Sequence, residues 1–332
     1  MRNIIIISLL LFVCCIFQVR NYDKTEQNSS FGKRTEADTT ITNPKQSEIP
    51  RSDFKPYSYS VEEWIGKEFI VLPKQQMFRN FGYELYFDKD FENSTLPIDP
   101  AVQLKNHRIK LESIAEHTLV GKEIEDLNGE TLVTFADQVT GKEIYAKTYK
   151  KAVKEIAFKE DLENAKKKWL GKVVFSRRGM ISIIENDNGF GSQKVRIEDS
   201  LIVYDIRWGV TPLPVNPLWL MVETVRKTKG FIPVRVSWSN VMNDLPKEGD
   251  PWEEDIFESD PKLLFNWESN MWDLINNHRV TKEMNRDQVL VSWGKPLEKY
   301  KKDVNGDSLE CWKYQSQVVY FGSKSIIKIE DK

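Results

Sequence analysis

The chain opens on an apolar run, Ile4 to Phe17, passes into a polar stretch, and after residue 58 breaks into short segments of alternating character. Fourteen residues fall short of the ~20 that a membrane-spanning helix needs. With Arg2 before it and Arg20 after it, the run has the length of an export-signal core. Residues 21–58 are rich in Thr, Ser, Asn, Gln and charge. Such a segment has too little to bury to offset its ordering entropy, so a flexible tether is expected. Beyond it, "YELYFD" (83–88), "TLVTFADQ" (131–138) and "KEIYAKTY" (142–149) alternate as strands do, with "VTGK" as the turn between the last two. Residues 152–168 place Ala152, Ile156, Phe158 and Leu162 along one side, which predicts a linking helix with a solvated Glu and Lys face.

A phrase recurs in this region. "EWIGKEFIVL" (63–72), "TLVGKEIEDL" (118–127) and "KWLGKVVFSR" (168–177) each set apolar residues before Gly-Lys and a strand-like run after it. Gly66, Gly121 and Gly171 stand 55 and 50 positions apart, a spacing that predicts a small β-module used more than once. Residues 59–165 are therefore expected to hold β-rich modules with Gly-Lys repeats, and 166–245 a further one. The close of that module, "RKTKGFIPVRVSWSNV" (226–241), resembles the end of an SH3-like small barrel. The resemblance implies a peptide or glycan groove lined by Trp208, Trp219 and Trp238; core packing is the other reading of each. Residues 246–262, with three Pro and seven acids, read as a linker.

In the last part, 263–332, Trp267, Met271, Leu274 and Ile275 are at helical spacing within 265–280. Asn285 and Gln288 stand in capping-box register for a second helix, Gly294 provides its stop and Pro296 prevents its continuation. Three alternating runs follow at 309–315, 317–323 and 325–331, so a three-stranded meander under two helices is expected. The order Met284-Asn285-x-x-Gln288-Val289, Gly294-x-Pro296, Trp312-x-Tyr314 and Tyr320-Phe321-Gly322 resembles the small outer-membrane assembly lipoprotein family BamE, also called SmpA or OmlA. That resemblance covers about one fifth of the chain. It implies an ααβββ two-layer sandwich and non-catalytic, partner-binding work in the bacterial envelope; similar folds also serve peptidoglycan or β-lactamase inhibition. The fold class expected is α+β, mainly β: small antiparallel β-barrel-like modules followed by that C-terminal sandwich.

Composition narrows the chemistry. With 48 Lys and Arg against 50 Asp and Glu, no domain-wide basic field advertises nucleic acid; the runs at 147–154 and 165–172 are local and read as solvated faces. Cys311 is the one cysteine of the body, which excludes a disulfide framework or a cysteine zinc site. Cys14 and Cys15 end the apolar run, and "LFVC" resembles a lipobox with Val13 where a small residue is usual. Lipidation there would anchor the chain to a membrane surface; a plain signal or a short uncleaved anchor is the alternative. The three histidines, His107, His117 and His278, sit in no metal-ligand pattern, and no phosphate loop or nucleophile elbow occurs. "GFGS" (189–192) and "DVNGD" (303–307) read as turns. No cofactor is expected. Together these features predict an exported, lipid-anchored envelope protein, at the outer membrane by preference, that binds or scaffolds an envelope protein or peptidoglycan. The alternative is a cell-wall or glycan hydrolase with carboxylates in a β-module cleft.

Overall fold

Two of the three Gly-Lys phrases build the same piece of structure. In the first, the 3-10 helix Val61–Trp64 runs into Ile65 (φ −60°, ψ 126°) and Gly66 (φ 76°), and the Lys67 amide donates to the Trp64 carbonyl at 3.0 Å. In the other, helix α1 (Lys159–Trp169) runs into Leu170 (φ −59°, ψ 127°) and Gly171 (φ 77°), and the Lys172 amide donates to the Trp169 carbonyl at 2.9 Å. Both are type II turns, whose third position needs positive φ and hence glycine. Each turn then pairs with a later strand: Gly66 N–H donates to the Gly121 carbonyl, and Gly171 N–H to the Val203 carbonyl.

The middle phrase is therefore not a third copy. Gly121 lies within a strand, as the pairing partner of the first turn, and a Cβ there would stand 2.1 Å from the Trp64 carbonyl oxygen. Close backbone approach, not a turn, is what selects glycine at 121. The true repeat joins residue 66 to residue 171.

The structure, a computed structural model, describes residues 56–89, 109, 113–127, 130–186, 189–210, 216–242, 251–253, 255–304 and 307–332. The export-signal run with Cys14 and Cys15, residues 21–55 of the tether, and His107 lie outside them. Among the described residues no helix is long and apolar enough to cross a membrane.

After the first turn come β1 (Glu68–Val71), β2 (Thr118–Leu127), β3 (Glu130–Asp137), β4 (Glu143–Lys147) and β5 (Ile156–Phe158), all antiparallel, in the order β4-β3-β2-β1-β5. After the second come β6 (Val173–Ser176), β7 (Met180–Asn186), β8 (Gly189–Lys194), β9 (Leu201–Trp208), β10 (Leu218–Thr224), β11 (Lys229–Val234) and β12 (Ile256–Phe257), in the order β12-β6-β9-β10-β11-β7-β8. The two sheets share one plan. The first strand is followed by an insertion, which adds to the far edge: Tyr86 bridges Tyr145 of β4, and β7 pairs with β11. A three-strand meander follows, and a short strand from downstream closes the outer edge of the first strand.

The third unit has helices α2 (Pro261–Leu264), α3 (Ser269–Asn276) and α4 (Arg286–Trp293), then β13 (Glu298–Val304), β14 (Asp307–Lys313), β15 (Gln317–Phe321) and β16 (Ile326–Asp331) as a sequential antiparallel meander. The class is thus mainly β, with antiparallel sheets and a half-barrel. Three apolar cores lie in sequence, around Trp64, Phe69 and Phe135, around Trp169, Val203 and Val222, and around Trp272, Val289 and Trp312.

Several expectations need correction. The linking helix over 152–168 starts only at Lys159, because Ile156–Phe158 pair with β1 and are buried on both faces. "YELYFD" contributes an isolated bridge at Tyr86 and no strand. "GFGS" lies in β8, not in a turn. The acidic linker contains β12 and buried Trp252, apolar residues set among the acids and drawn into the core. The tether's last residues, 56–58, are part of the folded body, since Tyr57 packs against the second core and its carbonyl accepts from Trp238 N–H at 3.2 Å. The first long C-terminal helix shortens to 269–276, and the meander has four strands, because the Lys-rich segment 298–304 pairs through its backbone with β14. The capping box of α4 forms as expected, Asn285 Oδ1 accepting from Gln288 N–H at 2.9 Å and Gln288 Oε1 from Asn285 N–H at 2.8 Å. Gly294 ends that helix at φ 78°, ψ −165°, positive φ but extended instead of left-handed helical.

Candidate functional site

The repeat exposes a difference between its copies. Phe158 of β5 faces Phe69 of β1, three residues after Gly66. In the second unit Phe257 faces Phe175, and Glu258, the first residue past that pairing, lines one cleft with Val174, three residues after Gly171. A phenyl ring in one unit is a carboxylate in the other. In the first unit Phe158 is 2 % exposed and fills the space between Phe69, at 4.4 Å, and the edge of Trp64, at 5.8 Å. The indole N–H of Trp64 is buried without a hydrogen-bond partner.

In the second unit the matching indole N–H, that of Trp169, donates to Glu258 Oε1 at 2.8 Å. Lys168 Nζ lies 2.8 Å from the same oxygen and 4.2 Å from the centre of the Trp252 ring, which crosses Trp169 edge-on at 5.8 Å. Beside Glu258 a cleft of about 480 Å³ opens, lined by Asn164, Lys167, Lys168, Trp169, Lys172, Val173, Val174 and Glu258. That volume is within the usual range for ligand sites. Local sequence builds it: the last turn of α1 carries the lysines, which its C-terminal dipole favours, and the type II turn brings Lys172 round to the same rim. Lys167 and Lys172 are exposed. Three cations face one carboxylate, and that carboxylate is already engaged, so the rim carries positive charge for an incoming anion.

A second polar cluster lies on the buried side of α1. Asp161 is 3 % exposed, accepts from Ser237 Oγ at 3.1 Å and also from the Tyr57 hydroxyl. Burial pushes its carboxyl up to about 7, against which both hydrogen bonds work, and burial together with that neighbouring carboxyl pushes the Tyr57 hydroxyl up as well. Beside it Asn240 Nδ2 donates to the carbonyls of Val153 and Ile156, and Ser239 Oγ accepts from Tyr59 N–H at 2.8 Å. This cluster ties α1, the end of the first unit and the segment after β11 together. It surrounds only a water-sized space, so its work is joining.

The three tryptophans named from sequence are not brought together. Trp208 is half-buried and packs between the second core and Ile70, Leu72 and Ala157 of the first sheet. Trp219 is 6 % exposed, stacked on Phe231 at 4.1 Å with Phe190 edge-on. Trp238 is 8 % exposed under the Arg235 guanidinium at 3.9 Å. Of the histidines, His117 Nδ1 lies 3.0 Å from Asp137 Oδ2, and His278 Nδ1 lies 2.8 Å from the Ser292 carbonyl. Among the described residues no group of three metal-ligating side chains converges.

No protein-family model matches the chain, and no curated protein matches it. Sequence reasoning read 165–172 as a solvated face and missed Glu258 altogether. The signal that would have found both is the alignment of "EIAFKED" (155–161) with "DIFESDP" (255–261), which sets Phe158 against Glu258, behind the two Trp-x-Gly-Lys turns.

Proposed function

We propose that the protein is a non-catalytic binding or scaffolding protein of the bacterial cell envelope, exported and held at the membrane by lipid on Cys14 or Cys15, which takes an anionic group of an envelope partner in the Glu258 cleft. The observation that carries this reading is the lysine-rimmed cleft beside Glu258, which stands in the second unit at the place that the apolar Phe158 takes in the first. Glycoside hydrolysis needs two carboxyl groups flanking the bond. Among the described residues lining this cleft Glu258 is the one carboxylate, and Lys168 and Trp169 hold it, which supports binding over turnover. The C-terminal unit, with its capped helix and Trp312, Tyr320 and Gly322 in BamE-like order, supports a partner-binding role beside it.

The test is in situ crosslinking in intact envelopes, together with sedimentation on peptidoglycan sacculi, using the wild type and a Lys167→Gln, Lys172→Gln variant. Both lysines are exposed, so the fold is expected to stay and the captured partner to be lost. Capture unchanged in that variant overturns the cleft as the site, and turnover of peptidoglycan or polysaccharide by the purified protein overturns the non-catalytic reading. Palmitate labelling is expected to vanish in Cys14→Ser, Cys15→Ser; labelling that persists overturns the anchor.

A further inference from the structure

In the first two units the first strand, β1 or β6, does not stay at the edge of its sheet. β5 covers β1, with Ile156 opposite Val71 and Phe158 opposite Phe69; β12 covers β6, with Ile256 opposite Ser176 and Phe257 opposite Phe175. Both closing strands are short apolar segments among acids: Glu155, Glu160 and Asp161 around one, Glu253, Asp255, Glu258 and Asp260 around the other. Their side chains alternate between neighbouring cores. Ile156 and Phe158 complete the first core while Ala157 reaches a cluster with Ile70 and Leu72. Ile256 completes the second core and Phe257 enters the third. A closing strand is thus how one unit is fastened to what comes next.

The third unit shares part of this order, a helix ending in Trp293, then Gly294-Lys295 without the type II turn, then four antiparallel strands with no insertion after the first. Here the matching edge is open. Among the described residues no strand lies outside β13, and Glu298, Lys299, Lys301, Lys302 and Asp303 are all exposed. An edge strand offers a row of backbone donors and acceptors to any extended chain, and strand addition uses them for affinity.

We propose that the outer edge of β13 is a docking site for a partner protein, which adds an extended segment of the kind this chain uses on itself, an Ile-Phe-type apolar pair with acidic flanks. Charge picks the segment. Lys299, Lys301 and Lys302 outnumber Glu298 and Asp303; Glu298 pairs with Lys313 at 2.9 Å, while Lys299 and Lys302 lie over the rings of Trp312 at 4.5 Å and Tyr320 at 5.7 Å and so keep their charge uncancelled by a carboxylate there. Lysines on an edge discourage indiscriminate pairing, so an acidic strand is admitted where a neutral one is not. The site is separate from the Glu258 cleft and stands or falls independently of it.

The probe is a synthetic peptide with the sequence of residues 252–261, "WEEDIFESDP", titrated into the detergent-solubilised full chain and followed by hydrogen exchange. Saturable binding is expected, with slowed exchange over 298–304 and unchanged exchange at β16. A Lys299→Glu, Lys301→Glu, Lys302→Glu variant of unchanged thermal midpoint is expected to bind about tenfold more weakly; Lys301→Glu alone gives a smaller loss and serves where the triple variant is destabilised. A peptide with Ser at both apolar positions is expected not to bind. Three outcomes overturn the proposal: no saturable binding, protection that appears at β6 because the peptide has displaced β12, and β13 amides as protected in the free protein as those of β2, which would mean that the chain itself already fills the edge.

Discussion

Phe158 and Glu258, two residues after Ile156 and Ile256, stand beside the two Trp-x-Gly-Lys turns, the one against the ring of Trp64 at 5.8 Å, the other accepting from Trp169 Nε1 at 2.8 Å. The place thus holds an apolar plug in one unit and a polar anchor in the next. Truncation separates their roles. Phe158→Ala removes a fully packed ring and is expected to cost about 3–5 kcal/mol. Glu258→Ala removes a partly exposed hydrogen-bond acceptor, with an expected cost of about 1–2 kcal/mol. Urea unfolding of the two variants measures the difference; equal losses would contradict it.

The glycines of the three phrases are expected to respond differently to a methyl group. At Gly171 nothing stands within 4 Å of the added carbon, so Gly171→Ala carries only the strain of φ 77°, about 1 kcal/mol. At Gly121 the added carbon meets the Trp64 carbonyl at 2.1 Å. Backbone cannot move aside as a side chain can, so Gly121→Ala is expected to cost about 3 kcal/mol and to lower the thermal midpoint several times further than Gly171→Ala.

Asp161 gives the stability a pH dependence of unusual sign for a carboxyl. Its folded value, raised by burial to about 7 from 3.8, means that the folded chain holds a proton the unfolded chain has released between those values. Stability therefore falls as pH rises through that window and levels off above it, at up to about 1.4 kcal/mol per unit. Asp161→Asn removes the ionisation, so the gap between wild type and variant is expected to shift in the variant's favour from about pH 5 to about pH 8. Urea midpoints at the two pH values check this, and a gap that stays constant or moves the other way refutes it.

Asp137 works in the opposite direction. Burial raises its carboxyl, but the Thr140 hydroxyl, the Val139 amide and His117 outweigh that and hold it below the ordinary range. Its contribution is present above 3.8 and is lost as pH falls through the lowered folded value. Asp137→Asn is expected to cost about 1–3 kcal/mol near neutrality and to flatten the acid limb of the stability curve, measured by thermal unfolding between about pH 2 and about pH 5.

The C-terminal helix start is local. Asn285→Ala removes the acceptor for Gln288 N–H and is expected to cost about 1 kcal/mol; hydrogen exchange over 286–289 is expected to quicken while the β14–β15 amides keep their protection.

Local rules determined much of this molecule from sequence alone. The strand pair 131–138 and 142–149 with its turn, the capping box of Asn285 and Gln288, and the Gly-Lys phrases were all legible, because each rests on neighbours in the chain: alternation, a side chain reaching three residues on, a glycine where φ turns positive. Even the phrase at 118–127 was seen, though not its meaning, since a glycine chosen for backbone approach looks like one chosen for a turn. What tertiary structure decided lies between distant segments. Ile156–Phe158 carry a helical spacing, yet the open edge of β1 took them as a strand. The acid-rich 246–262 looked solvated, yet Trp252 and Ile256 were drawn into a core built by residues 165–236. Asp161 belongs to the helix whose Glu and Lys face was read as solvated, yet it is buried, because Tyr57 and Ser237 come from 104 and 76 residues away to meet it. The cleft at Glu258 and the edge of β13, which no strand among the described residues covers, belong to the same class. Each is defined by what does or does not arrive from elsewhere in the chain, and periodicity carries no record of that.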